Sequence, residues 1–331
     1  MYDLRDTNKA PVLVAVPETI LSTPTVSSTL QIIDWSANNR HFLVQRKAKG
    51  INEYIMVDRE RPQLSLNINN TLGVKPAEVS IRDKHPEKVY FLDSLPGTLR
   101  SADLKTKTIS APLLSEVYSY KTYDENLILY SSKSKNTPKG KIDLRIFEND
   151  KSFNLRSVDE TLRPLLQIER YDNNWYYVIG SPEEDNVFVY ENPLPALKRE
   201  IPSPLIVAAI MRLEDPQYVS FSKNGQYIAL QNGIKLLTID LYDRHQYSFT
   251  LKPNIPKSYQ LQWMDGHRLI YTFENQAHII DFDGSNEQSL AATESAKGPF
   301  FDQDFENLYS LSSSTAVKDA KAFVRTRLLT N

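Results

Sequence analysis

Polar and apolar positions come in short alternating blocks along this chain. A turn rich in Asn, Asp, Gly and Lys is followed by four to six β-prone residues, and the unit then returns. It reads WSANNRHFLVQ from Trp35, IRDKHPEKVYFLD from Ile81, YKTYDENLILYSS from Tyr120 and ERYDNNWYYVIGS from Glu169. It reads FSKNGQYIALQ from Phe221, WMDGHRLIYTF from Trp263 and FFDQDFENLYSLS from Phe300. The residues predicted to open the second strand of each unit are His41, Val89, Leu127, Trp175, Tyr227, Leu269 and Leu308, so the period is about 44 residues, within the 40–50 or so of a four-stranded propeller blade. A second β-prone stretch follows each hairpin turn: EYIMVD, GTLRSADL, KIDLRIF, NVFVYEN, IKLLTIDL, AHIIDF and AFVRTRLL. Asn-Asn, Asn-Gly, Asp-Gly and Gly-Ser pairs supply the positive φ that tight hairpins need.

The pattern predicts an all-β chain: one seven-bladed β-propeller domain over residues 1–331, with four-stranded antiparallel blades at about 20–75, 76–112, 113–160, 161–202, 203–252, 253–293 and 294–331. The N-terminal piece YDLRDTNKAPVLVAV reads as strand material without a complete unit. Residues 1–19 are therefore expected to join the last blade and close the ring, which protects strand edges. The apolar run Leu205–Met211 within PLIVAAIMRLEDP, bracketed by Pro204 and Pro216, reads as the inner strand entering the fifth unit.

Two segments resemble repeats of TolB-like propellers. AHIIDFDGSNEQSL is similar to their outer hairpin, and FSKNGQYIAL to their Ser-Pro-Asp-Gly-Lys start, with Lys223 in place of proline. A longer resemblance runs through IIDWSANNRHFLVQ, EYIMVDRERPQLSLNINNTLG, NPLPAL, PQYVSFSKNGQYIALQNG, WMDGHRLIY, DFDGSN and PFFDQDFENLYSL. Together these look like the propeller region of PEGA-domain proteins from Saccharibacteria (TM7), bacteria that live on other bacteria. In that family a membrane segment and a small PEGA domain precede the propeller, and neither is in this sequence. The resemblance implies an outward-facing, extracytoplasmic envelope domain and brings no catalytic residues with it.

Composition narrows the chemistry. With no cysteine, thiolate nucleophiles, disulfides and Cys-ligated zinc are excluded. A net charge of −2, with Lys and Arg spread along the chain, gives no basic face for nucleic acid. The start lacks the apolar core of a signal peptide, and no stretch has the 18 or so apolar residues of a membrane span, so the chain is expected to be soluble and to meet a membrane only through a segment outside it.

Candidate sites are few. His41, His85, His245, His267 and His278 show no metal-ligand spacing. His267 follows Gly266 as in a WD40 Gly-His pair, but no Trp-Asp dipeptide closes the unit, so it reads as a turn residue. Asp281, Asp283 and Asn286 in DFDGSN carry closely spaced side-chain oxygens that suggest calcium. Their glycine comes too early for a calcium loop, which leaves an Asp-Gly hairpin turn. Glu183, Glu184 and Asp185 read as a solvated loop tip. Tyr118, Tyr120, Tyr123 and Tyr130, with Trp175, Tyr176 and Tyr177, read chiefly as filling between blades, with stacking on a partner as the alternative. Nucleophile-elbow, phosphate-loop and sialidase-type Asp-box motifs are all missing. No catalytic, cofactor-binding or metal-ligating residue is therefore assigned.

The expectation is a non-enzymatic recognition or scaffold domain at the cell surface, binding a protein or a surface polymer. A glycan hydrolase or lyase with channel acids is one alternative, and a self-associating envelope component is another. Converging carboxylates or a histidine cluster at the channel mouth would favour the enzyme, and an aromatic and polar rim would favour recognition.

Overall fold

A computed structural model describes residues 14, 16–123, 127–161, 163–200, 203–252, 255–293, 299–301, 305–313 and 321–328. The chain divides into two compact units, Met1–Ser157 and Val158–Asn331.

The first unit begins with a four-stranded sheet of β1 (Thr29–Trp35), β2 (His41–Ala48), β3 (Ile51–Asp58) and β4 (Leu66–Asn67), paired in that order. The turn into β2 shows why the sequence makes a hairpin here. Ser36 N–H donates to His41 O (3.0 Å), Asn38 Oδ1 accepts from Arg40 N–H (2.9 Å), and Asn39 takes φ +52°. A short-chain oxygen and a residue tolerant of the left-handed region are what such a turn requires. Next come β5 (Glu78–Ile81), β6 (Lys88–Leu92), β7 (Gly97–Asp103) and β8 (Thr108–Ile109). They are followed by β9 (Leu114–Thr122), β10 (Leu127–Ser132), β11 (Lys141–Glu148) and β12 (Lys151–Asp159), all in one eight-stranded sheet.

The second unit repeats the four-stranded pattern three times. The sheets are β13 (Leu165–Tyr171), β14 (Asn174–Gly180), β15 (Asn186–Glu191) and β16 (Val207–Arg212); then β17 (Tyr218–Phe221), β18 (Tyr227–Asn232), β19 (Lys235–Asp240) and β20 (Gln246–Thr250); then β21 (Gln262–Trp263), β22 (Arg268–Phe273), β23 (Gln276–Asp281) and β24 (Gln288–Ala292). A three-stranded sheet of β25 (Phe300–Phe301), β26 (Asn307–Ser313) and β27 (Lys321–Arg327) follows. The Ser36 turn returns before β18. Ser222 N–H donates to Tyr227 O (2.8 Å), Ser222 Oγ donates to Asn224 Oδ1 (2.7 Å), and Gly225 takes φ +76°.

Within each unit, consecutive sheets stack face to face. Leu43, Tyr54 and Met56 of the first sheet pack on Val79, Val89 and Phe91 of the second. Within the eight-stranded sheet, Tyr90, Leu92 and Leu99 of one half pack on Leu114, Tyr120 and Ile128 of the other. In the second unit Tyr176, Val178 and Val189 pack on Ile228, Leu230 and Ile239, while Tyr227 and Leu236 pack on Trp263 and Leu269. First strands of successive sheets are neighbours: β1 lies beside β5, and β13 beside β17. This is an all-β fold with a β-propeller arrangement of four-stranded antiparallel blades.

The expected count of seven blades is corrected. Among the described residues, four separate four-stranded sheets and one eight-stranded sheet give five, beside the three-stranded one. Two of the predicted blades run together because β8 covers only Ala102 and Asp103 of β7, and the rest of that edge pairs with the start of β9, Gly97 with Val117 and Leu99 with Leu114. The final unit has three strands among the described residues. The N-terminal strand expected to complete it lies outside them, apart from Val14 and Val16, which pack with Ile20 and Leu21 against Phe42, Val44, Ile55 and Val57 of the first sheet. The run PLIVAAIM is also corrected. Its strand β16 is the fourth strand of the β13–β16 sheet, antiparallel to β15, because Met211 is needed to close the core against Val187 and Val189.

Candidate functional site

Two cavities of about 350 Å³ each open in the first unit. One lies among the first strands of the stacked ladders. Its lining includes Ile33 and Asp34 from β1, Glu78 and Ser80 from β5, and Tyr120, Lys121 and Thr122 from β9, with Gln45 and Tyr54 behind them.

Strand geometry sets these positions. Tyr120 and Ser80 meet because the two halves of the eight-stranded sheet pack on each other, and the Tyr120 hydroxyl and Ser80 Oγ are 3.0 Å apart. Tyr54 OH donates to Ala77 O (2.7 Å) and accepts from Gln45 Nε2 (2.9 Å). Burial pushes both tyrosine hydroxyls up in pKa, and the Glu78 carboxylate adds to this. Glu78 itself is pushed up by burial while Lys121 pulls it down. Asp34 is held by Lys84 Nζ (2.5 Å) and by the Trp35 amide (2.8 Å). The cleft is thus a mixed surface: two tyrosines and an amide at the back, hydroxyls along one side, and one lysine at an exposed rim.

The second cavity is lined by Arg40, His41, Met56, Asp58, Arg61 and neighbouring residues. Asp58 organises it. Arg40 Nε donates to one oxygen (2.8 Å) and Arg40 Nη2 to the other, while the Glu60 and Arg61 amides (3.0 Å each) complete the set. These contacts, the Arg40 guanidinium first, hold Asp58 well below the usual carboxylate range. His41 Nε2 lies 3.6 Å from the same carboxylate, yet burial keeps its pKa low.

The residues singled out in the sequence are dispersed. His267 is a turn residue as read, its amide donating to Asp265 Oδ1 (2.8 Å). His278 stacks on Tyr271 at 5.0 Å, and His245 meets Tyr247 edge-on at 4.5 Å. DFDGSN is a hairpin turn: Gly284 N–H donates to Asp281 O (3.0 Å), Ser285 Oγ to Asp283 Oδ1 (2.6 Å) and Asn286 Nδ2 to Asp281 Oδ2 (2.7 Å). Among the described residues no three His, Cys, Asp or Glu side chains are grouped to hold a metal. The acidic run is less free than a solvated tip. Glu183 accepts from Ser181 Oγ (2.5 Å), Glu184 from the Asp159 amide (2.8 Å) and Asp185 from the Asp215 amide (3.3 Å), so two of the three tie the tip to backbone distant in sequence. Tyr118, Tyr120, Tyr130, Tyr176 and Tyr177 are buried filling as expected, whereas Tyr123 is exposed. Sequence reasoning missed Glu78, Lys121, Tyr54 and Asp34. The one signal was a charged residue opening a β-prone run, Glu78 before Val79-Ser80-Ile81.

Among the described residues no helix is long and apolar enough to cross a membrane. No family model matches the chain and no curated protein matches it. Two solved structures are similar in fold. Kluyveromyces lactis Hsv2 has 9% sequence identity and a TM-score of 0.52, over 91% of this chain and 98% of its own. An oligogalacturonate lyase in complex with manganese has 10% identity and a TM-score of 0.52, over 89% of this chain and 88% of its own. At such identities the likeness is one of architecture alone, and the chain is a propeller-type all-β protein.

Proposed function

We propose that this chain is a non-enzymatic recognition domain, the outward-facing part of an envelope protein of the PEGA-domain kind, and that it binds a protein or a surface polymer. One observation carries the reading: the cleft among β1, β5 and β9 has an aromatic and polar lining on rigid strands, with its tyrosine hydroxyls already committed to the protein. Strand-borne side chains present a fixed surface at little entropic cost, which suits binding. Exposed Leu30 and Ile32 on β1, at 56% and 53%, extend apolar contact area beside it.

A lyase is the second reading, supported by the architectural likeness to oligogalacturonate lyase and by the two acids, Asp34 and Glu78, lining one cleft. One set of assays separates the readings: capture from envelope fractions of contacting cells, a glycan array, and an assay for unsaturated products from polygalacturonate. Capture or array binding without product is the expected result. Product formation would replace recognition by catalysis, and silence on all three with concentration-dependent self-association would replace it by a structural role.

A further inference from the structure

Of the two acids lining this cleft, Glu78 is the one whose charge is unmatched at contact distance among the described residues. Among the described residues its carboxylate accepts no hydrogen bond and makes no ion pair within 4.0 Å; Lys121 acts on it only through space. Tyr54 OH is occupied on Ala77 O, and the Tyr120 and Ser80 hydroxyls are bonded to each other. Asp34, the other acid of the cleft, already has Lys84. A partly dehydrated carboxylate without donors is costly, and a cationic donor relieves that cost best, because a charge-assisted hydrogen bond is about twice as strong as a neutral one. An anion would meet two carboxylates here, and a neutral polyol would leave the charge standing.

We propose that the cleft among β1, β5 and β9 takes an organic cation, an alkylammonium or guanidinium head group, with the Glu78 carboxylate as its charge partner. The tyrosines at the back and Ile33 at the side receive the alkyl stem, and about 350 Å³ admits a lysine- or arginine-sized group with room for water. Lys121 sits exposed at the rim, where solvent screens its repulsion, so its charge weakens binding without blocking it. The inference rests on the recognition reading and gives that reading its chemistry: either a basic side chain of a partner protein or a free polyamine.

The test uses the whole chain, titrated by calorimetry with Nα-acetyl-lysine amide, Nα-acetyl-arginine amide, spermidine and, as the uncharged control, Nα,Nε-diacetyl-lysine amide. Binding of the charged probes, absent for the diacetyl control, is expected. Glu78→Gln should weaken it about tenfold or more, as loss of a charge-assisted contact does. Lys121→Met, at an exposed position that leaves folding alone, should strengthen it a few-fold, roughly what removing one screened like charge gives. Equal binding of charged and diacetylated probes, no binding of either, or an unchanged affinity in Glu78→Gln would overturn the proposal. Competition by spermidine and by the lysine amide against a captured envelope protein assigns the cation to a partner's side chain. Capture indifferent to both probes and to Glu78→Gln overturns the cleft proposal while leaving recognition intact. Amine binding without any capture supports the cleft as a small-molecule site and removes the partner reading.

Discussion

Arg46 and Glu53 face each other across the β2–β3 pair, and both are almost wholly buried, at 2% and 3% exposure. Such a pair survives only if every donor and acceptor is used. Arg46 donates to Glu53 Oε2 (2.6 Å), Ser28 Oγ (3.0 Å), Thr23 O (2.7 Å) and Val26 O (3.2 Å). Glu53 accepts in addition from the Ser22 amide (3.0 Å), the Ser22 hydroxyl and Asn67 Nδ2 (2.8 Å). The pair therefore ties residues 22–28 to the first sheet. Burial alone would raise the Glu53 pKa, but the Ser22, Arg46 and Asn67 hydrogen bonds outweigh it and hold the pKa below the ordinary value. Its folded pKa lies below its unfolded one, so its stabilisation is complete above the ordinary carboxylate range and is lost as pH falls through the folded value. Glu53→Gln leaves the Arg46 charge uncompensated and should cost about 3 kcal/mol in urea unfolding at neutral pH, with the gap from wild type narrowing on acidification. Neither residue announces this in the sequence. Arg46 sits in a run that reads as solvent-facing, and its partner is identified only once the hairpin register is known.

At the scale of elements, hairpins were the most legible part. The second strands open at His41, Leu127 and Tyr227 as read, and at Lys88, Asn174, Arg268 and Asn307 elsewhere, one residue before the predicted position. Turn chemistry is local, so Asn, Asp and Gly specify it without knowledge of the rest of the chain. The fourth strands were not legible. β4 has two residues and β8 two, and β16 is apolar on both faces, since their form depends on which edge is free to pair. The cleft was hidden for the same reason. Asp34, Glu78 and Lys121 stand far apart in sequence and meet only through sheet stacking, although Tyr120 was already visible as part of an aromatic cluster. One turn gives a sharp test. Gly284 holds φ +85° in the β23–β24 connection, and a Cβ there would lie 2.6 Å from Phe249 Cγ, a side chain packed on the Tyr227–Trp263 cluster. Gly284→Ala combines left-handed strain with overpacking and should lower stability by about 2 kcal/mol or more, read as a shift of the denaturant midpoint at constant m-value.

At the scale of the molecule, each unit distributes its stability among the faces between its packed layers. Each face is shared by two packed layers, as in other repeat architectures where neighbours bury one another. The last face shows the consequence: Met264, Ile270, Ala277 and Ile279 are covered by Leu308, Phe301, Phe305 and Leu328. Removing residues 299–328 should uncover that face, with raised binding of a hydrophobic dye and a lower thermal midpoint. An unchanged midpoint would mean that the final sheet contributes nothing to its neighbour.

The unbroken ladder from β5 to β12 carries a different implication, for descent rather than energy. A repeat protein ordinarily gains or loses modules by recombination at the gaps between them, because no ladder of main-chain hydrogen bonds crosses a gap. Here the Gly97–Val117 and Leu99–Leu114 pairings stitch two modules together along the backbone. A crossover between residues 103 and 114 would strip β7 of its β9 partner and leave that edge open. Chimaeras that exchange residues 78–159 whole should express and fold, whereas exchanges of either half should not.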